Sequence, residues 1–352
     1  MTKYLTLDSN GVFIPASARV DYTCGGVPRS FVPRPGEDGS DDDGTVRVRA
    51  ERSQDGSSVS FCLFIENISD GDIFLSQAYP AVIDGTDFKV GSCPQSELTV
   101  FSQGRHKNDL PSVCRLGRRD VCWDDMLSSL TEGGAMIPAE KKPGITDIIG
   151  DSLSVIHAPD ASLSIGYMTA QSQLAESSLR VADDGTVVSF EIGCIFNCLM
   201  KPGSVRATEV VRFDTDPDVL RAIDNFADRK ACDFCARVGK KPSVWCSWYY
   251  YGSNLTPDDI TENLSKISEL HLPFDTFQID DAWQICHGDW NPKPIYSQRG
   301  MKNIADEIKS HGLRPGIWTA PFIADERARV VKEHPEWLLK EKNGEFAVFA
   351  GR

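Results

Sequence analysis

The sequence predicts a multidomain protein: an N-terminal antiparallel β-sandwich followed by the first βα units, about three, of a (β/α)8 TIM barrel. Three observations predict this fold class. They are short alternating strands over roughly the first 210 residues, one helical stretch near residue 216, and a strand–helix rhythm from residue 242. The corresponding domains are a β-sandwich over 1–214, a linking helix over 215–241 and a partial catalytic barrel over 242–352.

The sandwich is predicted from hairpins. VRVRA (46–50) alternates apolar and basic residues, Asp55-Gly56 makes a turn, and SVSFCLFI (58–65) returns. A second hairpin runs from SLRV (178–181) to VVSFEIGCIF (187–196). Many short strands at this spacing are typical of an antiparallel sandwich. Further strands are predicted at 152–158, 162–168 and 205–213.

The linking helix is predicted from a change in periodicity. DPDVLRAIDNFADRKACDFCARVG (216–239) places Val219, Ile223 and Phe226 on one face at helical spacing. Such a stripe indicates a helix with one buried side, lying between the two domains.

The barrel is predicted from three strands that alternate with helices, namely SVWCSWYY (243–250), FDTFQI (274–279) and LRPGIWTA (313–320). Thr256-Pro257 begins one helix, because a hydroxyl cap followed by proline favours a helix start. Another helix is predicted over 325–334. A closed barrel needs about 250 residues, so we expect the chain to be a piece of a longer protein.

Composition excludes several classes of function. Hydrophobic residues make up 41% of the chain, and the formal net charge is −14. This charge argues against nucleic acid and against an anionic membrane surface as partners. No apolar run reaches the roughly 18 residues of a membrane span. Eleven cysteines and a start without an apolar signal core predict a cytoplasmic location. The six histidines form no cluster, so no metal is predicted.

Acidic and aromatic residues follow the three predicted barrel strands. In such barrels the active site lies at the carboxyl ends of the strands. Carboxylates accept hydrogen bonds from hydroxyl groups, and flat rings pack against the C–H face of a sugar. The pattern therefore predicts a site for a neutral carbohydrate. The candidate substrate-binding residues are Trp248, Tyr249, Asp280, Asp281, Trp283 and Trp318.

Five segments resemble the α-galactosidases of glycoside hydrolase family 36: WCSWYYYG, LPFDTFQIDDAWQ, GDW (288–290), LRPGIWTAPFIA and HPEWLL (334–339). The resemblance in sequence covers about 242–352, and the earlier part resembles the family only in its layout. It implies retaining hydrolysis of terminal α-linked galactose from oligosaccharides such as raffinose or melibiose. It implies no cofactor, and it leaves open a homo-oligomer of the full-length protein.

The resemblance also assigns roles to particular residues. Asp280 and Asp281 match a pair that holds galactose hydroxyls at C4 and C6, and Trp318 matches an aromatic residue lining the sugar site. Trp248 and Tyr249 match the first strand end. Trp283 and Trp290 line or buttress the pocket. Ala282 stands where the family usually has glycine.

No catalytic residue is assigned within the chain. In the family the nucleophile and the acid/base are carboxylates on later strands, which are expected beyond Arg352. We therefore expect these 352 residues alone to lack hydrolase activity.

Three alternatives remain open at this point. One is a galactosyltransferase of the raffinose-synthase type, which shares the sequence motif of the second strand. Another is a sugar-binding β-sandwich protein without catalysis. The third makes Asp280 and Asp281 the catalytic pair, although adjacent strand residues point to opposite faces.

Overall fold

A computed structural model describes residues 5–34, 40–102, 112–117, 144–341 and 343–348. The described residues fall into two compact units, one ending at Arg237 and the other beginning at Val238. Arg352 lies outside the described residues. The predicted domain boundaries at 214/215 and 241/242 stay predictions.

The first unit consists mainly of short strands. They are β1 (Leu5–Ser9), β2 (Val12–Cys24), β3 (Val27–Phe31), β4 (Ser40–Asp42), β5 (Val46–Asp55), β6 (Ser58–Asn67), β7 (Ile73–Asp84), β8 (Lys89–Val90), β9 (Thr99–Ser102), β10 (Ser112–Arg115), β11 (Ile145–Gly150), β12 (Leu153–Ala158), β13 (Ala161–Tyr167), β14 (Leu174–Ala182), β15 (Val187–Met200), β16 (Val205–Ala207) and β17 (Val211–Asp216).

These strands form two large antiparallel sheets. Within the described residues, the first sheet has the order β1-β2-β7-β15-β14-β11, with β3 and β8 paired to β2. The second has the order β10-β9-β12-β13-β17-β6-β5-β4, with β16 paired to β6. Both predicted hairpins are confirmed, since β5 pairs with β6 and β14 pairs with β15.

The segment 205–213 was predicted as one strand and is two, β16 and β17. Both strands pair with β6, and Thr208 lies between them. Thr208 N donates to the Leu63 carbonyl at 2.9 Å, but the Leu63 N–H donates to the Thr208 hydroxyl at 3.0 Å, so the regular backbone pattern breaks at this residue.

The two sheets pack face to face through shared cores. One core joins Ile14 and Phe190 of the first sheet to Leu163 and Phe213 of the second, all at most 1% exposed. Another joins Val20 and Leu75 to Phe61, Leu63 and Ile65. Alternating residues of β6 point into this core, as the period of a strand requires.

Helix α1 (Val219–Asp233) covers the outer face of the second sheet. The Asp218 side chain caps it by accepting from Leu220 N at 2.9 Å. Phe226 is buried against Gly166 of β13, and Lys230 Nζ donates to the carbonyl of Tyr167 at 2.7 Å. The predicted helix extended to 239, but Cys235 has a φ of 48°, which ends the helical path.

The second unit contains a parallel sheet with helices between its strands. The order is β18 (Val244–Cys246), β19 (Thr276–Ile279) and β20 (Arg314–Ile317). The helices are α2 (Trp248–Tyr251), α3 (Pro257–Glu269), α4 (Pro294–Arg299), α5 (Met301–Ser310) and α6 (Arg329–Glu333). No helix in the described ranges has the length and apolar character needed to cross a bilayer.

The predicted helix start at Thr256 is confirmed. Thr256 N donates to Asp259 Oδ2 at 2.8 Å, and Asp259 N donates back to Thr256 Oγ1 at 3.3 Å. Ile260 and Leu264 of α3 are fully buried, and they pack in one core with Phe277 of β19 and Ile304 of α5. These contacts fix the helices against the parallel sheet.

The prediction of a strand over 243–250 is wrong in its second half, because β18 ends at Cys246 and α2 follows. Ser247 is fully buried, and its hydroxyl accepts from Asp280 N at 3.0 Å. This bond ties the chain to the neighbouring strand and lets it turn. The last predicted helix is also shorter than expected, since 325–334 reduces to α6.

Candidate functional site

The carboxyl ends of the three parallel strands form one edge. Ser247 N donates to the carbonyl of Gln278 at 3.2 Å, and Trp318 N donates to the carbonyl of Ile279 at 2.9 Å. These bonds continue the ladder past the strand ends. Ser247, Trp318 and the Asp280–Asp281 pair therefore lie side by side, as the sequence predicts for Asp280, Asp281 and Trp318.

Asp280 is held by its own surroundings. It is 9% exposed, and its Oδ2 accepts from Gln278 Nε2 at 2.8 Å and from Cys246 Sγ at 3.3 Å. Its Oδ1 accepts from Asp281 N at 2.8 Å. Both oxygens thus have partners, and the carboxylate organises the turn that follows β19.

Asp281 is bound on one side only. Its Oδ1 accepts from Ala282 N and Gln284 Nε2, both at 2.6 Å, and lies 3.3 Å from His287 Nε2. Within the described residues no hydrogen bond reaches its Oδ2, and 23% of the side chain is exposed. Oδ2 is therefore the acceptor that a ligand hydroxyl can reach.

The pKa of Asp281 lies below its usual value. Burial acts to raise this pKa, but the bonds from Gln284 and Ala282, together with His287, outweigh burial and lower it. The side chain is consequently a carboxylate at neutral pH, which is the form that accepts hydrogen bonds most strongly.

Four rings beside Asp281 form an aromatic cluster, made up of Trp283, His287, Trp290 and Trp318. Trp283 and Trp290 stack with centroids 6.2 Å apart, and Trp290 meets Trp318 edge to face at 6.2 Å. Trp283 is 6% exposed, and its Nε1 donates to the carbonyl of Trp318 at 2.9 Å. Trp283 therefore forms the buried side of the cluster, while Trp290 and Trp318 remain partly exposed.

Trp248 and Tyr249 lie apart from this arrangement. They belong to α2 and are 42% and 91% exposed, and no ring contact or hydrogen bond joins either side chain to Asp281 or the aromatic cluster in the described part of the chain. Their predicted place at a strand end is corrected to the first helical turn after β18.

Sequence reasoning missed two residues that bind Asp281, namely Gln284 and His287. Both lie in an irregular loop, where no periodicity indicates which side chains turn inward. Gln284 is 4% exposed, and its Oε1 has no partner among the described residues. It therefore provides a second buried acceptor close to Asp281.

Taken together, the site combines hydrogen-bond acceptors with aromatic faces. In the described ranges, no group of three or more His, Cys, Asp or Glu side chains is placed to hold a metal ion. This combination suits a neutral ligand that carries both hydroxyl groups and C–H surface.

Ala282 has a left-handed backbone, with a φ of 76°. A residue with a Cβ pays about 1–2 kcal/mol there, whereas glycine does not. Because glycine also gains freedom in the unfolded chain, we expect Ala282→Gly to change the free energy of unfolding by between zero and about +1 kcal/mol. The measurement is urea unfolding, with Ala305→Gly inside α5 as the matched control. That control should lose about 1 kcal/mol, and an equal loss at Ala282 would contradict the strain argument.

The known proteins that the chain resembles in sequence are α-galactosidases. No protein-family profile matches the chain. Over 104 residues it is 26% identical to the α-galactosidase of Escherichia coli, a segment covering 28% of this chain and 14% of that protein. Over 106 residues it is 23% identical to α-galactosidase 2 of Pediococcus pentosaceus, again 28% of this chain and 14% of the relative.

Solved structures are similar in fold to this chain over most of its length. The family 36 α-galactosidase AgaA of Geobacillus stearothermophilus superposes with a TM-score of 0.54 and 13% identity, over 85% of this chain and 41% of that one. The resemblance to family 36 α-galactosidases is confirmed. The α-galactosidase of Lactobacillus brevis matches 98% of this chain and 44% of its own, with a TM-score of 0.55 and 11% identity. The chain thus spans less than half the length of these α-galactosidases, and their sandwich agrees with its two antiparallel sheets.

Proposed function

We propose that this chain provides the galactose-binding part of a retaining α-galactosidase, an enzyme that releases terminal α-linked galactose from oligosaccharides such as raffinose or melibiose. The observation that carries the proposal is the one-sided binding of Asp281, whose Oδ2 lies beside partly exposed indole rings. The names of the relatives support it. A variant of AgaA, one of the structural neighbours, has been solved in complex with raffinose.

In this proposal the residues have different tasks. Asp281 accepts a hydrogen bond from one galactose hydroxyl. Asp280 holds the turn that aims Asp281, and it stays a proposed contact of a second galactose hydroxyl. Trp318 presents a flat face to the C–H side of the sugar, while Trp283 buttresses it. Trp248 and Tyr249, exposed on α2, stay proposed sugar contacts.

The catalytic carboxylates are proposed to be residues other than Asp280 and Asp281. A retaining mechanism places two carboxyl groups about 5–5.5 Å apart on either side of the glycosidic bond. Asp280 is 9% exposed and its carboxylate accepts from Gln278 Nε2 and from Asp281 N, which favours a role in positioning over one as the nucleophile. We further propose that β18, β19 and β20 are strands of a (β/α)8 barrel, whose other strands supply the catalytic pair without a cofactor.

Asp281→Asn tests the recognition role. Because Oδ1 must still accept three donors, the amide oxygen will occupy its place, and an NH2 group will replace Oδ2. This change turns the acceptor into a donor with little change in shape. We expect the affinity for galactose, measured by calorimetric titration, to fall about 10- to 100-fold, as for the loss of a bond to a charged group.

Two controls accompany this measurement. Asp275→Asn alters a carboxylate at the opposite end of β19, which binds Ser243 N at 2.9 Å, and should leave galactose affinity unchanged. Glucose, which differs from galactose at C4, should bind more weakly than galactose. Equal binding of the two sugars, or an Asp281→Asn variant that binds galactose like the parent chain, would contradict the proposal.

A further inference from the structure

His287 stands in contact with the side chain that the proposed function uses. Its Nε2 lies 3.3 Å from Asp281 Oδ1, the oxygen that also accepts from Ala282 N and Gln284 Nε2. His287 is thus the third group that holds Asp281 Oδ1, on the side opposite Oδ2, which no hydrogen bond from a described residue reaches. It comes six residues later in the chain, so this contact depends on the path of the intervening loop.

The backbone of His287 is fixed on its far side. Its carbonyl accepts from Asp325 N at 3.1 Å. The next residue, Gly288, has a φ of 105°, and a Cβ there would lie 2.9 Å from Val330 Cγ1 and 3.1 Å from Ala328 Cβ. Only glycine fits this close approach, which anchors the loop against Ala328 and the first turn of α6.

The ring of His287 is also held in place. It meets Trp290 edge to face at 5.8 Å and Trp318 at 5.7 Å, and its side chain is 14% exposed. Rings on two sides restrict rotation of the imidazole, so Nε2 stays directed at Asp281. The same ring therefore links the carboxylate to Trp318, whose face is proposed to meet the sugar, and to Trp290.

We propose that His287 is a positioning residue for sugar recognition: by donating from Nε2 to Asp281 Oδ1, it fixes the direction in which Oδ2 faces the bound sugar. This inference rests on the proposed function. His287 itself does not touch the sugar. Its contribution is to remove rotational freedom from the carboxylate before binding, which lowers the entropic cost of recognition.

Other charged groups lie near His287. Asp325 faces it from the segment before α6, and Arg327 Nη2 binds Asp325 at 2.7 Å. Arg327 therefore already satisfies the Asp325 carboxylate, and Asp281 is the carboxylate that His287 contacts directly. The effect of His287 on Asp281 can therefore be measured apart from its effect on Asp325.

The test compares two replacements of His287 by calorimetric titration with galactose. His287→Phe keeps a ring in the aromatic cluster but removes the donor, and we expect galactose affinity to fall about 3- to 10-fold. His287→Gln keeps an amide donor near the position of Nε2 and should restore most of the affinity. His334→Phe is the matched control, because His334 also pairs with a carboxylate, Glu336, and stacks on Trp337. It should bind galactose normally.

A second readout does not need the sugar. His287 is one of the groups that lower the pKa of Asp281. In carboxyl ¹³C NMR, with Asp281→Asn identifying the resonance, His287→Phe should raise that pKa and His287→Gln should raise it less. Thermal unfolding of each variant separates loss of folding from loss of positioning.

The outcomes are distinguishable. Weaker binding in the Phe variant with recovery in the Gln variant supports the positioning role. Equal losses in both, or no loss in either while the parent chain binds galactose, overturn it and leave the proposed function standing. If the parent chain does not bind galactose but the Asp281 pKa still rises in the Phe variant, the contact stands and the galactose proposal fails.

Discussion

Arg212→Met is expected to lower the free energy of unfolding by about 3–5 kcal/mol, because it leaves a buried carboxylate without its cation. Arg212 Nε donates to both oxygens of Asp214, at 2.9 and 3.0 Å. The Asp214 side chain is fully buried and that of Arg212 is 7% exposed. Water cannot replace the lost partner there, so the cost is that of an uncompensated charge. Urea unfolding followed by circular dichroism measures the change.

Two further variants test whether burial of the ion pair causes this loss of stability. Arg47 pairs with Glu66 at 3.1 Å on the surface, with 46% and 35% of the side chains exposed, so Arg47→Met should cost less than about 1 kcal/mol. Adding Asp214→Leu to Arg212→Met removes the orphaned charge and should recover much of the loss. If Arg212→Met were as mild as Arg47→Met, the burial argument would fail.

Phe226→Ala is expected to cost a similar amount, about 3–5 kcal/mol, as for other buried aromatic side chains. Phe226 is 6% exposed and packs over Gly166, where even a Cβ would lie 2.3 Å from its ring. Removing the ring leaves a cavity above Gly166, which adds to the cost of the lost burial. The loss should appear in the unfolding of the first unit, to which α1 belongs.

Leu220→Ala on the same helix is the matched control. Leu220 is 67% exposed, so its truncation should change stability by no more than about 0.5 kcal/mol. Similar losses at the two positions would mean that α1 is held by something other than the Phe226–Gly166 contact. A large difference would show that the helix is part of the first unit's core.

Local patterns were enough to predict much of the fold. The β5–β6 hairpin follows from alternation and a two-residue turn, which involve only neighbouring residues. The prediction of a strand over 243–250 was wrong in its second half. WYYY has high strand propensity, but the bond from Asp280 N to the Ser247 hydroxyl turns the chain into α2. Tertiary bonds of this kind have no signature in a single segment.

The site was predictable to a smaller extent. Asp280 and Asp281 look alike in the sequence, yet among the described residues both oxygens of Asp280 accept hydrogen bonds and only one oxygen of Asp281 does. That difference depends on Cys246 from the neighbouring strand and on His287 from a loop. Neither contact follows from spacing, because each requires the packed structure.

Under the proposed function, the one-sided binding of Asp281 has a consequence for how finely the protein discriminates among hexoses. With Oδ1 already holding three donors, this carboxylate does not offer one free oxygen to each of two vicinal hydroxyls, as a free carboxylate does. A second hydroxyl is then left to another group, such as a side chain that follows β20. Stereochemical accuracy then depends on the alignment of β19 with β20, where Ile279 lies opposite Ile317, and a slip in that register would blur the choice between epimers.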